Sequence, residues 1–469
     1  VTIRRKYIPR KFAPMVSDFL ASNPRGSVFG KPGVGKTIFT LTHLELAYRV
    51  WGDVEPTLVV APLRVARDTW ATEASKWEHL EGLDVVPIVG TPEQRKAAMR
   101  KDAPIYVTNY ENIPWLTETL AASGKPWPFR RVIADEAHKL KGFRLRQGTQ
   151  RAQALAKFAH KDVKEWTNLT GTPASNGLED LWALTWFLDA GQRLGRTFSA
   201  FRDRWFRPVK AGQFSKWVPM DHAQDEIHAR LSDICLTLDP RDWFDLREPI
   251  VNVIEVDLPP SAKTKYREME RELFTMIGEH EVEAFSAAAK SQKCLQMANG
   301  ATYLDAERYG KGKWIEVHDA KLEALSELID ATGDEPLLVV YEYVSDRERI
   351  MRTFEDVLDL ANDDDLAKAK AGKGKLWLGH PMSVAEGIDG LQEWCAAVVF
   401  FAQSWRLDLH DQVIERVGPM RQLQAGKDRA VFIHYIVARG TIDELVMSRR
   451  GDKRSVQDSL MDYMKQKGL

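Results

Sequence analysis

The sequence predicts an α/β protein made of two parallel-sheet lobes with a mainly helical insertion between them. Three observations carry this. From about residue 27 to 173, short β-branched apolar runs alternate with polar stretches long enough to be helices, the pattern of a parallel sheet covered on both faces. The same texture returns at 337–341, 375–378, 397–401 and 431–437, after an amphipathic stretch with Leu322, Leu325 and Leu328 at helical spacing. Between them, about 174–315 reads as long helical patterns, broken by 251–258, whose alternation and following Pro259-Pro260 suggest a strand that rejoins the second half. The expected domains are 1–190, a first lobe; 191–315, the insertion; and 316–469, a second lobe.

Composition supports this division. A chain of 469 residues allows about three domains at roughly 150 residues each. Its 44% hydrophobic and 28% charged residues are globular in proportion, and no run reaches the roughly 18 apolar residues of a membrane-spanning helix. Lys plus Arg number 66 against 67 Asp plus Glu, so a polyanion would have to meet a local basic surface. The three cysteines, Cys235, Cys294 and Cys395, are too dispersed for a paired-ligand metal motif and too few for a disulfide framework. The opening VTIRRKYIPRKF carries positive charge without the apolar run of a signal peptide. A reducing cytoplasm is therefore the expected setting, the host's if the protein is viral. In the first lobe the strands expected are 26–29, 57–61, 85–89, 105–108, 132–134 and 166–170.

Directly after the first of these strands comes Gly30-Lys31-Pro32-Gly33-Val34-Gly35-Lys36-Thr37, followed by the apolar periodic stretch 38–46. Strand, G-x-x-x-x-G-K-T loop and helix are in the order a phosphate site needs. Small residues allow backbone N–H groups to surround phosphate oxygens, and the helix N-terminus adds unpaired donors. Gly30, Gly33, Val34 and Gly35 would form the cradle, Lys36 would reach the β and γ phosphates, and Thr37 would give a hydroxyl to Mg2+. ATP and Mg2+ are the expected cofactors. The strand at 132–134 ends in Asp135-Glu136-Ala137-His138. Asp135 could hold Mg2+ through water, and Glu136 could polarise the attacking water.

The glycine loop, the Asp135 to His138 box and Leu169-Thr170-Gly171-Thr172-Pro173 together resemble the first three main motifs of superfamily 2 helicases of the DEAH-box kind. The continuation from Asn176 to Trp182 is similar to the Swi/Snf-related branch, phage members included. The resemblance runs from about Tyr7 to Val446. It implies two RecA-like lobes that close around ATP and step along nucleic acid. It also implies that His138, Thr170 and Thr172 couple nucleotide state to movement. On spacing alone, the Thr-Gly-Thr-Pro turn would be ordinary loop structure.

The second half resembles the family at 338–341, at His380 to Asp389, at Trp405, Asp411, Gln412 and Arg416, and at Gly440 to Glu444. By that resemblance Gly387, Asp389 and Gln412 belong to the coupling set, and Arg416 approaches the γ-phosphate from the other lobe. An interlobe salt bridge is the alternative role for Arg416. Three departures stand out. The second arginine of the sixth motif is replaced by Pro419, with Arg421 two positions on, so either Arg421 reaches the phosphates by another path or Arg416 acts alone. The upstream adenine-reading glutamine is absent, Lys11 standing where it is expected, which leaves Arg10 or Tyr7 to stack on the ring. The fifth motif has Asp389-Gly390 where one asparagine is common.

Between Arg193 and Lys216 there are seven basic residues and one acidic one, interleaved with aromatics. Arg202, Arg204 and Trp205 are the expected backbone-tracking contacts; the same pattern also fits a helix face whose aromatics anchor it to a core. Lys141 and Arg144 form a second basic run beside the carboxylate box. No sequence-reading motif is evident. The expected activity is a nucleic-acid-stimulated ATPase, a DNA helicase or duplex translocase without sequence preference, with RNA a lesser partner. Two alternatives are an ATP-binding DNA scaffold with little turnover, and the motor of a restriction or recombination complex whose nuclease comes from a partner.

Overall fold

The computed structural model describes residues 4–451 apart from 32, 176, 212–213, 280–283, 305–311, 386–387 and 428, with side chains over 210–216 and 272–290 also outside the description. The chain divides into two compact units, one running to Asp245 and a second from Leu246.

The first unit contains strands β1 (Arg25–Gly30), β2 (Thr57–Ala61), β3 (Val85–Ile88), β4 (Ile105–Asn109), β5 (Arg131–Asp135), β6 (Glu165–Thr170), β7 (Phe206–Ala211), β8 (Phe214–Pro219) and β9 (Cys235–Leu238). Seven form one sheet in the order β3-β4-β2-β5-β6-β1-β9, every pair parallel. Because side chains alternate along a strand, successive residues feed opposite faces: Leu58, Val60, Val132 and Ala134 join one core, Val59, Ala61 and Ile133 the other. Both faces are covered, which is why these strands are written as continuous apolar runs.

The second unit contains β10 (Ile250–Val256), β11 (Ala301–Tyr303), β12 (Trp314–Glu316), β13 (Leu337–Val340), β14 (Val357–Asp359), β15 (Leu376–Gly379), β16 (Ala397–Phe400) and β17 (Phe432–Ala438). Its sheet is β10-β17-β16-β13-β15-β14, again parallel throughout. β13 divides its side chains as the first sheet does, Leu337 and Val339 to one core and Leu338 and Val340 to the other. The strand expected to rejoin the second half is β10, paired with β17 over its full length.

The stretch 191–315 is more mixed than the expected helical insertion. Beside helices Phe198–Trp205, Ala223–Leu231, Pro260–Glu279 and Ala284–Ala298 it carries the antiparallel hairpin β7–β8 and strands β9 to β12. β9, a four-residue buried run, lies beside β1 and extends the first sheet.

Candidate functional site

Strand order brings the motifs of the first unit together. β5, β6 and β1 are adjacent, with Asp135 in register with Leu169 and Thr170 with Phe29. Their C-terminal ends therefore present the carboxylate box, the Thr170 loop and the glycine loop side by side, at the sheet edge where open α/β folds bind ligands.

The glycine loop has the form of a phosphate cradle. Gly33 and Gly35 have φ of +83° and +96°, a region costly for other residues. Gly30 must lack a Cβ because one would lie 2.9 Å from Val34 Cγ1. Val34 itself is fully buried, so it offers the cradle backbone only. Lys36 and Thr37 open helix Lys36–Arg49, and the buried Lys36 Nζ donates to Gly30 O at 2.7 Å.

Asp135 is buried, its Oδ2 accepting from Trp70 Nε1 at 3.0 Å, while its backbone carbonyl accepts from Tyr110 OH at 2.8 Å. Burial, then the adjacent Glu136, pushes the Asp135 carboxyl up, with Lys36 opposing. Glu136 is pulled the other way: burial raises it, but Lys36, His138 and Lys139 outweigh that. Glu136 also has a left-handed backbone, φ 55° and ψ 53°, a strained conformation for a non-glycine residue that turns the chain as it leaves β5. Its Oε2 is 3.3 Å from His138 Nδ1. The same Nδ1 lies 3.3 Å from Thr170 Oγ1 and 3.4 Å from Thr172 Oγ1, and Thr172 N donates to Thr170 Oγ1 at 3.1 Å. The expected coupling residues of this unit thus form one continuous polar line. It continues nearby: Lys141 Nζ donates to Ser175 Oγ at 2.8 Å, and Ser175 to Asp180 Oδ2 at 3.2 Å.

On the adenine side, Lys11, Arg10 and Tyr7 take different surroundings. Lys11 is exposed, because the next residue, Phe12, is driven into the core. It is Arg10 that reaches the loop, its Nη1 donating to Gly33 O and Val34 O at 3.2 and 2.6 Å. Tyr7 is already stacked on His79, centroids 4.6 Å apart. Trp70 and Tyr110 were not found from the sequence. Trp70 meets Asp135 across 65 positions, and no local pattern encodes that.

In the second unit, Gln412 is buried in helix Leu407–Val417, which also carries Arg416. Gly418, with ψ 170°, ends this helix, and Pro419 begins the next, Pro419–Gln424, which carries Arg421. Pro419 suits that first position, where no N–H is required. Arg416 Nη2 donates to Ala385 O. Arg421 Nη1 is 3.1 Å from Asp389 Oδ1, and Asp389 is held below the usual carboxylate range because Arg421, then its own loop N–H and Arg416, overcome the opposing effect of burial. Gly387 lies outside the described residues.

The basic segments are packed more than the sequence suggested. Trp205 is 1% exposed, and its Nε1 donates to Glu226 Oε2 at 3.0 Å, so it is not a stacking platform. Phe201 and Phe206 are buried with it; the helix face needed apolar anchors, and the aromatics serve as these. Arg204 pairs with Glu226 at 2.6 Å, Arg202 lies 4.2 Å over Trp217, and Arg144 lies 3.4 Å over Phe198. Their chains cover apolar rings; the Arg204 side chain remains 52% exposed.

A glycine cradle with a buried lysine, beside a strand-end carboxylate pair and a histidine–threonine line, defines a P-loop ATPase motor of the superfamily 2 helicase and translocase class. The family comparison is specific. The model of the SNF2-related domain matches residues 20–307, and the chain belongs to that family. Protein p41 of Acyrthosiphon pisum secondary endosymbiont phage 1 is 46% identical over 467 residues, 99% of this chain and 100% of that one. Helicase swr1 of Emericella nidulans is 33% identical over 199 residues, and its Schizosaccharomyces pombe counterpart 33% over 175. The chain spans only 11% and 12% of those two proteins. Among solved structures, the SWI2/SNF2 ATPase core of Sulfolobus solfataricus in complex with dsDNA aligns with 97% of this chain and 94% of its own, at 20% identity and a TM-score of 0.44.

Proposed function

We propose that the protein is an ATP-driven motor that moves along duplex DNA without reading its sequence. The observation that carries this is the polar line Glu136–His138–Thr170–Thr172 at the edge of the sheet that also holds the glycine loop. One ring nitrogen faces a carboxylate and two hydroxyls, and it can engage them only in part at any one time.

The residues present fit ATP and Mg2+. The two left-handed glycines keep the cradle free of Cβ atoms, Lys36 places a buried cation beside two carboxylates, and Thr37 stands at the helix start. Bound ATP with its Mg2+ supplies the phosphoanhydride whose cleavage releases the energy for movement. Toward it, loop N–H groups and Lys36 would hold phosphate oxygens, while Thr37 and Asp135 would hold the metal. Glu136 would accept the proton of the attacking water. When Glu136 turns to that task, His138 Nδ1 is released toward Thr170 and Thr172, and the loop after β6 takes the signal into the helix beginning at Asp180. Arg416 would supply transition-state charge from the second unit; Arg421, tied to Asp389, is the alternative. Arg202, Arg204, Lys141 and Arg144 would offer partly covered cations to the DNA backbone. DNA is preferred to RNA through membership of the SNF2-related family.

The test is ATP hydrolysis with duplex DNA, single-stranded DNA and RNA side by side, together with triplex displacement. Duplex stimulation that vanishes in Lys36→Ala and Glu136→Gln is expected. A basal rate unmoved by any nucleic acid would leave an ATP-binding scaffold as the better reading.

A further inference from the structure

The segment before helix Ala13–Ser22 is fastened at both ends. Arg5 exchanges backbone hydrogen bonds with Lys76 O and Glu78 N at 2.7 and 2.9 Å, Tyr7 stacks on His79 and meets Trp77 edge-on, and Phe12 is 1% exposed within the core. Arg10 stands between these anchors, and its guanidinium donates to two successive carbonyls of the glycine loop, Gly33 O at 3.2 Å and Val34 O at 2.6 Å. A planar trans peptide points its C=O and N–H in opposite directions. Fixing the Val34 carbonyl from outside therefore fixes the Gly35 N–H on the far side of the same peptide. The Val34 N–H is taken by the loop's own turn to Lys31 O at 3.3 Å, so the peptide between Val34 and Gly35 is the one whose direction Arg10 decides. That peptide ends at a residue with φ +96°, a conformation glycine leaves readily without restraint.

We infer that Arg10 is a positioning residue for the phosphate loop: it braces the outward-facing carbonyls so that the loop's N–H groups are set for phosphate before nucleotide arrives, and it does not read the base. This rests on the proposal that the glycine loop holds ATP. It replaces ring stacking by Arg10 with a base-independent role, since the guanidinium is engaged on the phosphate side of the site. Lysine cannot reproduce it fully, because a single ammonium lacks the fixed donor geometry that spans two carbonyls.

Two measurements on the protein test this. In nucleotide-free protein, amide hydrogen exchange at Val34, whose N–H is held by Lys31 O on the peptide that Arg10 grips through Gly33 O, should rise about tenfold in Arg10→Ala, the effect of losing one charge-assisted hydrogen bond, and by less in Arg10→Lys, with exchange in β2 and β5 unchanged. In titrations with fluorescent ATP and GTP analogues, Arg10→Ala should weaken both by the same factor, again about tenfold. Unaltered loop exchange would overturn the inference, as would exchange raised throughout the unit, which marks a structural role. A loss confined to ATP would overturn it in favour of base contact. Lys36→Ala separates the two readings: if it leaves nucleotide binding intact, the site assignment itself fails, whereas binding lost in Lys36→Ala but kept in Arg10→Ala rejects the bracing role alone.

Discussion

Lys321 and Asp443 form an ion pair at 2.6 Å with both side chains fully buried in the second unit. Lys321 Nζ also donates to Asn299 Oδ1 at 2.8 Å and Phe401 O at 3.2 Å, while Asp443 Oδ2 accepts from Ala438 N at 3.1 Å. The pair thus joins the start of helix Ala320–Thr332 to the ends of β16 and β17. Replacing Lys321 by Met fills similar volume but leaves Asp443 as a buried charge with one backbone donor, and takes the donor from two other acceptors. Breaking a buried pair in this way costs roughly 3–5 kcal/mol. Adding Asp443→Asn removes the charge while keeping an acceptor for Ala438 N, so the double variant should regain at least about 2 kcal/mol of that loss. Because two compact units need not unfold together, the opening free energy should be read from hydrogen exchange at amides of β13, β16 and β17. A single variant within about 1 kcal/mol of the parent, or a double variant no more stable than the single, would refute the claim that this pair is what holds the lobe's closing turn.

Glu136→Gln should keep nucleotide binding while turnover falls about a hundredfold or more, as expected on losing a general base, whereas Lys36→Ala should lose binding itself; paired titration and hydrolysis measurements separate them. Arg416→Ala should bind ATP normally and lose about a thousandfold in stimulated turnover, with Arg421→Ala, whose partner is Asp389, much less affected; reversed rates would move the role to Arg421. His43, His228 and His318 are each lowered to about 4, chiefly by burial. A depressed histidine lends stability in full above 6.5 and loses it as pH falls toward 4, by up to about 3 kcal/mol per residue. Asp346, raised by burial to about 6, acts in the opposite sense. Thermal midpoints should therefore fall from pH 6.5 to 4, less steeply in His228→Gln, and a flat profile in the parent would contradict the assignment.

The parts of this molecule that were legible in its sequence are those encoded by local pattern. Continuous apolar runs located most of the parallel strands, because burial on both faces leaves no polar alternation. Spacing located the glycine loop because its geometry needs glycine at fixed places, and Gly33 and Gly35 do adopt positive φ. β9 and β14 were missed for the same reason read in reverse: four and three residues are too few to show a period. Trp205 shows the limit of composition. Arginine beside aromatics describes both a nucleic-acid track and a helix whose rings face inward, and only the tertiary contact to Glu226 distinguishes them.

What no local pattern could give is the partnership among motifs, and there strand order supplies the answer. Asp135, Thr170 and Gly30 are far apart in the chain but end three neighbouring strands, so a single sheet edge fixes their mutual placement at little further entropic cost. Of the groups added around them, Trp70 and Tyr110 on Asp135 come from segments outside the matched motifs, and Arg10 on the loop comes from the segment where the adenine-reading glutamine is absent. Their work is orientation, which one hydrogen bond from any nearby element can perform, so sequence has little reason to mark them with a spacing of their own. A motif search therefore finds the groups that would touch nucleotide and passes over those that hold them still, and for the same reason substitutions at Trp70 or Arg10 should alter rate or affinity without changing which reaction is catalysed.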